Sequence, residues 1–286
     1  MPIALDRGMC CDLNQTMVRE WLITNGIGGY AAGTVAGVLT RNQHGLLVAD
    51  LPGEMLPQLL LAKVDEEVVF DQRTYYLGTN EYRDGTIKPA GFVHLESFHL
   101  EDGFSTFTYR LGGINGIVFE KRIWMPPEQN TTCIQYRVIS TNMQERADTH
   151  TSRGTLDDDS PTQQQRALMI TLLPFTTYRP YNQLQSVNQH FQLQADHFAD
   201  HMPSSMRPRI HISAEPLVGC TISATSAAQP YHMLALSHPD CHPTFIPTGV
   251  WYGNFLRRHD STAEQPAIDD LYLPGVVRAA LWPDDD

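Results

Sequence analysis

The stretch Glu20–Ala49, EWLITNGIGGYAAGTVAGVLTRNQHGLLVA, decides how this chain is read. Gly26, Gly28, Gly29, Gly33 and Gly37 crowd into a dozen positions of it. Glycine at that density belongs to backbone that turns sharply or closely approaches another group. Gly26-Ile27-Gly28-Gly29-Tyr30-Ala31 satisfies the loose dinucleotide pattern G-x-G-x-x-A. However, Gly33, Thr34, Val35, Gly37, Val38 and Thr40 make a poor crossover helix, and no βαβ alternation follows. No phosphate-binding lysine succeeds the glycines, so the stretch carries no cofactor motif. At its far end Arg41-Asn42-Gln43-His44 precedes the strand GLLVAD. That set offers a planar fork and mixed donors and acceptors suited to a sugar, although the same groups serve equally well to satisfy a turn.

Outward from this segment, β-branched or alternating apolar runs recur along the chain: EEVVFDQRTYYLG, FSTFTYRLGG, INGIVFEKRIWM, TTCIQYRVIS, ALMITLLPF, RIHISA, GCTISAT and YHMLALSH. Turn formers separate them, and Asn115-Gly116 predicts a tight hairpin between FSTFTYRL and IVFEKRIW. No window keeps apolar residues at helical spacing for three turns without a Gly or Pro, so the fold is expected to be mainly β with few short helices. The polar text from Asn142 to Arg166, with Asp157-Asp158-Asp159, reads as a long hairpin loop. Asp196 to Arg209 reads as a second surface excursion.

The 286 residues carry 20 Lys plus Arg against 32 Asp plus Glu, a formal charge of −12. No basic run interrupts that charge, which makes nucleic acid and anionic membranes poor partners. The opening MPIALDRGMCCDLNQ lacks both a basic leader and a long apolar stretch, so a cytoplasmic location is expected. Cys10, Cys11, Cys133, Cys220 and Cys241 are odd in number, lack CxxC spacing and read as reduced structural thiols. His197-x-x-x-His201 and His238-x-x-Cys241-His242 are interrupted or followed by prolines and lack further ligands, so no metal is expected. No G-x-S-x-G elbow occurs. Asp65, Glu66, Glu67, Asp84, Glu96 and Glu120 are available carboxylates. Most read as solvated strand residues, and the sequence does not say which face one another at the separation glycoside hydrolysis needs.

The segment Glu20–Ala49 resembles the opening signature of bacterial and archaeal glycogen debranching enzymes. The resemblance continues through LLAKVDEEV (Leu60–Val68), LGTNEYRDGTIKPAGFVHLESF (Leu77–Phe98), VFEKRIWMPPEQNTTCIQYRV (Val118–Val138) and LLPFTTYRPYNQLQSVN (Leu172–Asn188). It extends to WYGNFLRRHD (Trp251–Asp260) and DDLYLPGVV (Asp269–Val277). In that family these motifs belong to the N-terminal domain. The resemblance therefore implies an all-β fold, a large antiparallel super-β-sandwich of the glucoamylase N-terminal-domain or galactose-mutarotase kind. It would span residues 1–286 as one domain, with a polar insertion at about 142–166. The family's (α/α)6 barrel, which carries the acid and base of an amylo-α-1,6-glucosidase, follows this domain, and the resemblance places neither carboxylate in the present sequence. One departure is local: the family's Arg-x-Tyr-His-Gly is Arg41-Asn42-Gln43-His44-Gly45 here, without the aromatic ring.

The leading expectation is a non-catalytic module that docks onto a helical glucosidase domain or subunit and holds α-glucan, whether glycogen or a limit dextrin. Asn25, Arg41, His44, Arg179 and Tyr181 are the polar groups expected nearest the glucan or the domain interface, and Trp21 and Tyr30 are the aromatic ones. Each has a structural alternative, such as a turn for Asn25 and an ion pair for Arg179. Two other readings stay open. One is a stand-alone hydrolase of α-1,6 branch points using a pair such as Glu66 and Glu96; the other is an inactive remnant of a longer enzyme.

Overall fold

The computed structural model describes residues 2–113, 116–141, 168–185, 194–199, 217–224, 228–237, 241–262 and 264–282. The Asn142 to Arg166 stretch and the run RIHISA lie outside them. Strand β1 (Ile3–Leu5) leads into two single-turn helices, α1 (Arg7–Cys10) and α2 (Leu13–Thr16). Asp6 and Asp12 start these helices by accepting hydrogen bonds from the backbone N–H groups of Met9 and Asn14. Apart from 3-10 turns at Gly91–His94 and Arg258–Asp260, the remaining elements are strands: β2 (Glu20–Thr24), β3 (Tyr30–Thr34), β4 (Gly45–Ala49), β5 (Gln58–Phe70), β6 (Arg73–Tyr76), β7 (Thr79–Glu81), β8 (Ile87–Ala90) and β9 (Leu95–Glu101). These are followed by β10 (Phe104–Leu111), β11 (Ile117–Trp124), β12 (Cys133–Thr141), β13 (Leu168–Pro180), β14 (Gln194–Ala199), β15 (Leu217–Ser223), β16 (Tyr231–Leu236), β17 (Thr244–Leu256) and β18 (Ile268–Leu281). No helix among the described residues is long and apolar enough to cross a membrane.

A five-stranded sheet in the order β1-β9-β10-β11-β12 faces an eight-stranded sheet, β17-β18-β13-β5-β4-β3-β2, to which β6 adds through β5. The small sheets β14-β15-β16 and β7-β8 complete the fold. The ladders pair antiparallel, and the hairpin expected around Gly116 forms with Leu111 opposite Ile117. Burial alternates residue by residue along β10 and β11, as a half-buried strand requires. One expectation changes: Asp196 to Ala199 are not a loose excursion but lie in β14, paired with β15. Ladder bonds come from backbone groups, so a short edge strand forms there without an apolar alternation to announce it.

The main core lies between the two large sheets, where Trp21, Val64 and Val68 meet Phe98, Phe107 and Phe119. The Trp21 and Phe107 rings stand edge to face at 6.0 Å. A second cluster gathers Val48, Leu59, Phe175, Phe255 and Leu271. A third packs Ala49, Leu60 and Tyr272 against Cys220, Ile222 and Tyr231 of the three-stranded sheet. Asp65 and Glu66 are not among the solvated strand residues: both are buried, each with a buried lysine partner. Lys63 Nζ lies 2.8 Å from Asp65 Oδ1, and Lys121 Nζ lies 2.6 Å from Glu66 Oε1. Asn80 bridges the first pair, donating to Asp65 Oδ2 at 2.7 Å while its own Oδ1 accepts from Lys63. The Tyr136 hydroxyl completes the second pair at 2.7 Å from Glu66 Oε1. Burial and the Glu66 charge hold the Tyr136 phenol far above its ordinary range. Both pairs border an interior cavity of about 50 Å³.

The glycine-rich stretch divides by role. Gly28 turns the chain at φ 94°, which an L side chain rarely adopts. Gly45 is required by contact: a Cβ there would lie 2.0 Å from Leu59 Cδ1 and 3.2 Å from the Leu61 carbonyl oxygen. Leu59 is fully buried and has nowhere to retreat. Gly45→Ala is therefore expected to cost about 1–3 kcal/mol through overpacking, visible as a lowered thermal unfolding midpoint. An unchanged midpoint would show that β4 and β5 separate more readily than this contact implies.

Candidate functional site

Strand β2 is the edge of the eight-stranded sheet, and its alternation divides the family-like stretch between two environments. Trp21 and Ile23 point into the core, whereas Glu20, Leu22 and Thr24 point outward. Leu22 pairs with Ala32 and Thr24 with Tyr30 across to β3. Together with the loop of Gly26, Gly28 and Gly29 they form one side of an open groove of about 710 Å³. Arg41, Gln43 and His44 form the other side.

The groove's charged residues are mutually neutralised. Arg41 Nε donates to Glu20 Oε1 at 2.6 Å, and His44 Nε2 approaches the same oxygen at 3.3 Å. His44 Nδ1 accepts the Thr40 N–H at 3.1 Å, which fixes the neutral tautomer with its proton on Nε2. Burial, opposed by Glu20, lowers the His44 pKa from 6.5 to about 4. Tyr30 donates its hydroxyl to the Gln43 carbonyl at 3.0 Å, and burial pushes that phenol up to about 12. The ring missing at Gln43 is thus a side-chain difference only; the turn keeps its backbone anchor.

What holds the 39–44 loop in place is a buried ionic cluster. Asp269 Oδ2 accepts from Arg179 Nη2 at 2.8 Å and from Arg257 Nη2 at 2.7 Å, while Oδ1 accepts from the Gln185 N–H at 2.9 Å. Burial raises the carboxyl pKa, but the two guanidiniums and the Gln185 donor outweigh it and hold Asp269 below the usual range. From this cluster Arg179 reaches the Asn42 carbonyl at 3.2 Å, and Arg257 reaches the Leu39 carbonyl at 3.3 Å. The turn Arg258–Asp260 adds two more bonds. The His259 N–H donates to the Thr40 carbonyl at 2.9 Å, and Asp260 Oδ2 accepts from the Asn42 N–H at 2.5 Å.

Of the residues singled out from sequence, Tyr30, Arg41 and His44 line the groove, and Arg179 anchors its wall from behind. Tyr181 packs in the second core cluster beside Tyr30, with its N–H on the Pro57 carbonyl. Trp21 contributes only an edge to the groove: it is 4% exposed, and its Nε1–H donates to the Thr34 carbonyl. Asn25 is committed to the loop beside the groove, accepting from the Ile27 and Gly29 N–H groups and donating to the Gln129 carbonyl and Asn130 Oδ1. Glu20, Arg257, Asp260 and Asp269 were not singled out. The clustered charges of RRHD and DD, within otherwise apolar text, were the available signal. Among the described residues no group of three or more His, Cys, Asp or Glu is placed to hold a metal ion; His201 and His238 lie outside those residues.

Two outcomes follow. Asp269→Asn leaves two guanidiniums buried without their shared carboxylate, and is expected to cost about 3–5 kcal/mol in urea unfolding; a loss under about 1 kcal/mol would contradict the clamp. As pH falls from 6.5 to about 4, the unfolded chain takes up a proton that folded His44 refuses. The stability of neutral His44, on the order of 3 kcal/mol, is therefore present above that window and lost across it. His44→Gln should remove this part of the slope of stability against pH.

The sequence matches the family described as glycogen debranching enzyme N terminal over residues 19–286. No curated protein matches it. The match spans nearly all of the sequence, including the groove, its clamp and every strand from β2 to β18: the chain belongs to the glycogen debranching enzyme N-terminal family.

Proposed function

We propose that this chain is the non-catalytic β-sandwich module of a cytoplasmic glycogen debranching system, one that holds α-glucan in the β2–β3 groove and gives a helical glucosidase domain or subunit a surface to dock on. The observation that carries this reading is the convergence of Tyr30, Arg41, His44 and the glycine loop on one open groove, buttressed from behind by Arg179. Its lining combines exposed Leu22 and the half-buried Tyr30 ring with hydrogen-bonding side chains, the mixture a sugar presents in turn.

The carboxylates favour a non-catalytic role. Glycoside hydrolysis needs a protonated acid and a second carboxylate facing it across the scissile bond. Glu66 is instead buried on Lys121 and Tyr136, and Glu96 Oε2 is shared by Arg7 at 2.9 Å and Arg110 at 3.3 Å. The Glu66 charge is thus matched by one lysine and the Glu96 charge by two arginines.

The test is calorimetric titration of the purified chain with maltoheptaose and glycogen, a released-glucose assay on branched limit dextrin, and hydrogen exchange with and without sugar. Binding with protection confined to β2, β3 and the 25–29 and 39–44 loops is expected, without glucose release. Release of glucose would overturn the non-catalytic reading, and protection elsewhere would move the site.

A further inference from the structure

Resting on the reading of the groove as an α-glucan site, we propose that Glu20 is its ligand-reading residue, accepting hydrogen bonds from adjacent hydroxyls of an uncharged sugar chain through Oε2. Three groups surround this carboxylate: Arg41 Nε at 2.6 Å, His44 Nε2 at 3.3 Å and His259 Nδ1 at 3.8 Å. All three fall on Oε1. Among the described residues Oε2 takes no partner, although Glu20 lines the groove with about a third of its side chain exposed. The carboxylate is therefore held on one side and open on the other, which is how an acceptor is fixed for an incoming hydroxyl.

The same contacts identify the chemical class of the ligand. The Arg41 guanidinium has its charge matched by Glu20, and His44 is held neutral by the Thr40 N–H on its Nδ1. The ion pair leaves the groove lining with no net positive charge, so a phosphate or carboxylate on the ligand would gain no unmatched cation and would crowd the Glu20 carboxylate at Oε2. A neutral polyol avoids that penalty. Its hydroxyls donate to Oε2, and the apolar face of a pyranose ring lies on Leu22, which is 55% exposed, and on Ala32 beside it.

Glu20→Gln tests this directly: the amide retains an oxygen for Arg41 but turns the free acceptor into a donor and removes the charge. Titration with maltoheptaose should show at least about tenfold weaker binding than the parent chain, the scale of a lost charge-assisted hydrogen bond. The thermal unfolding midpoint should be retained. If the variant proves unstable, Glu20→Asp, which keeps the charge but withdraws it by one methylene, should bind several-fold more weakly. Inorganic phosphate and glucose 1-phosphate should fail to displace the sugar. Equal affinity of a folded variant and the parent, or displacement by phosphate, overturns the role of Glu20 and leaves the groove reading intact. A parent chain that does not bind maltoheptaose overturns the groove reading itself.

Discussion

One buried carboxylate organises the groove end of this sandwich. Asp269 on β18 is shared by Arg179 from β13 and Arg257 from just beyond β17, three residues brought together from distant positions and all almost excluded from water. A lone guanidinium in that environment would carry a desolvation cost of several kcal/mol. Around the shared carboxylate both cations also donate to backbone carbonyls of the 39–44 loop, Arg179 to Asn42 and Arg257 to Leu39. An irregular segment with few ladder bonds thereby acquires a fixed shape, and Arg41 and His44 are presented on rigid backbone.

The same logic recurs deeper in the molecule. Lys63 with Asp65, and Lys121 with Glu66, place matched charges inside the sandwich at a central strand, tied into Asn80 and Tyr136. Such pairs contribute little net stability relative to an apolar core of equal volume. They do fix geometry, since the Lys121 and Glu66 pair is satisfied only when β11 of one sheet meets β5 of the other in this register. The glycines act alongside them. Gly78 leaves room for the Asp65 carboxylate, whose atoms lie within 2.7 Å of where a Cβ would stand.

Much of the fold was legible in the text. The alternation in FSTFTYRL and IVFEKRIW gave the hairpin and its inward face, and the turn formers gave most strand boundaries, because period-two burial is a local property of the chain. The burial of Glu66 was not legible for the complementary reason. A charged letter in a strand reports a solvated face only when no partner waits across the sheet, and Lys121 lies 55 residues away from Glu66. Strand β14 was missed because nothing in its side chains distinguishes it from a loop; its pairing with β15 is made by backbone.

The candidate site was partly legible as well. The glycine-rich stretch and its closing Arg-Asn-Gln-His marked where backbone and polar groups crowd, and Tyr30, Arg41 and His44 do share one groove. The sequence alone determined the β class and the glycines that permit close approach, since each depends on neighbours a few residues apart. Only the tertiary structure decided that Arg179 holds the Asn42 carbonyl, that Asp269 joins two arginines, and that Glu20 is held through one oxygen and left open at the other. Those contacts join segments separated by tens to hundreds of residues, and the chain carries no local mark of which charges will meet once the sheets close.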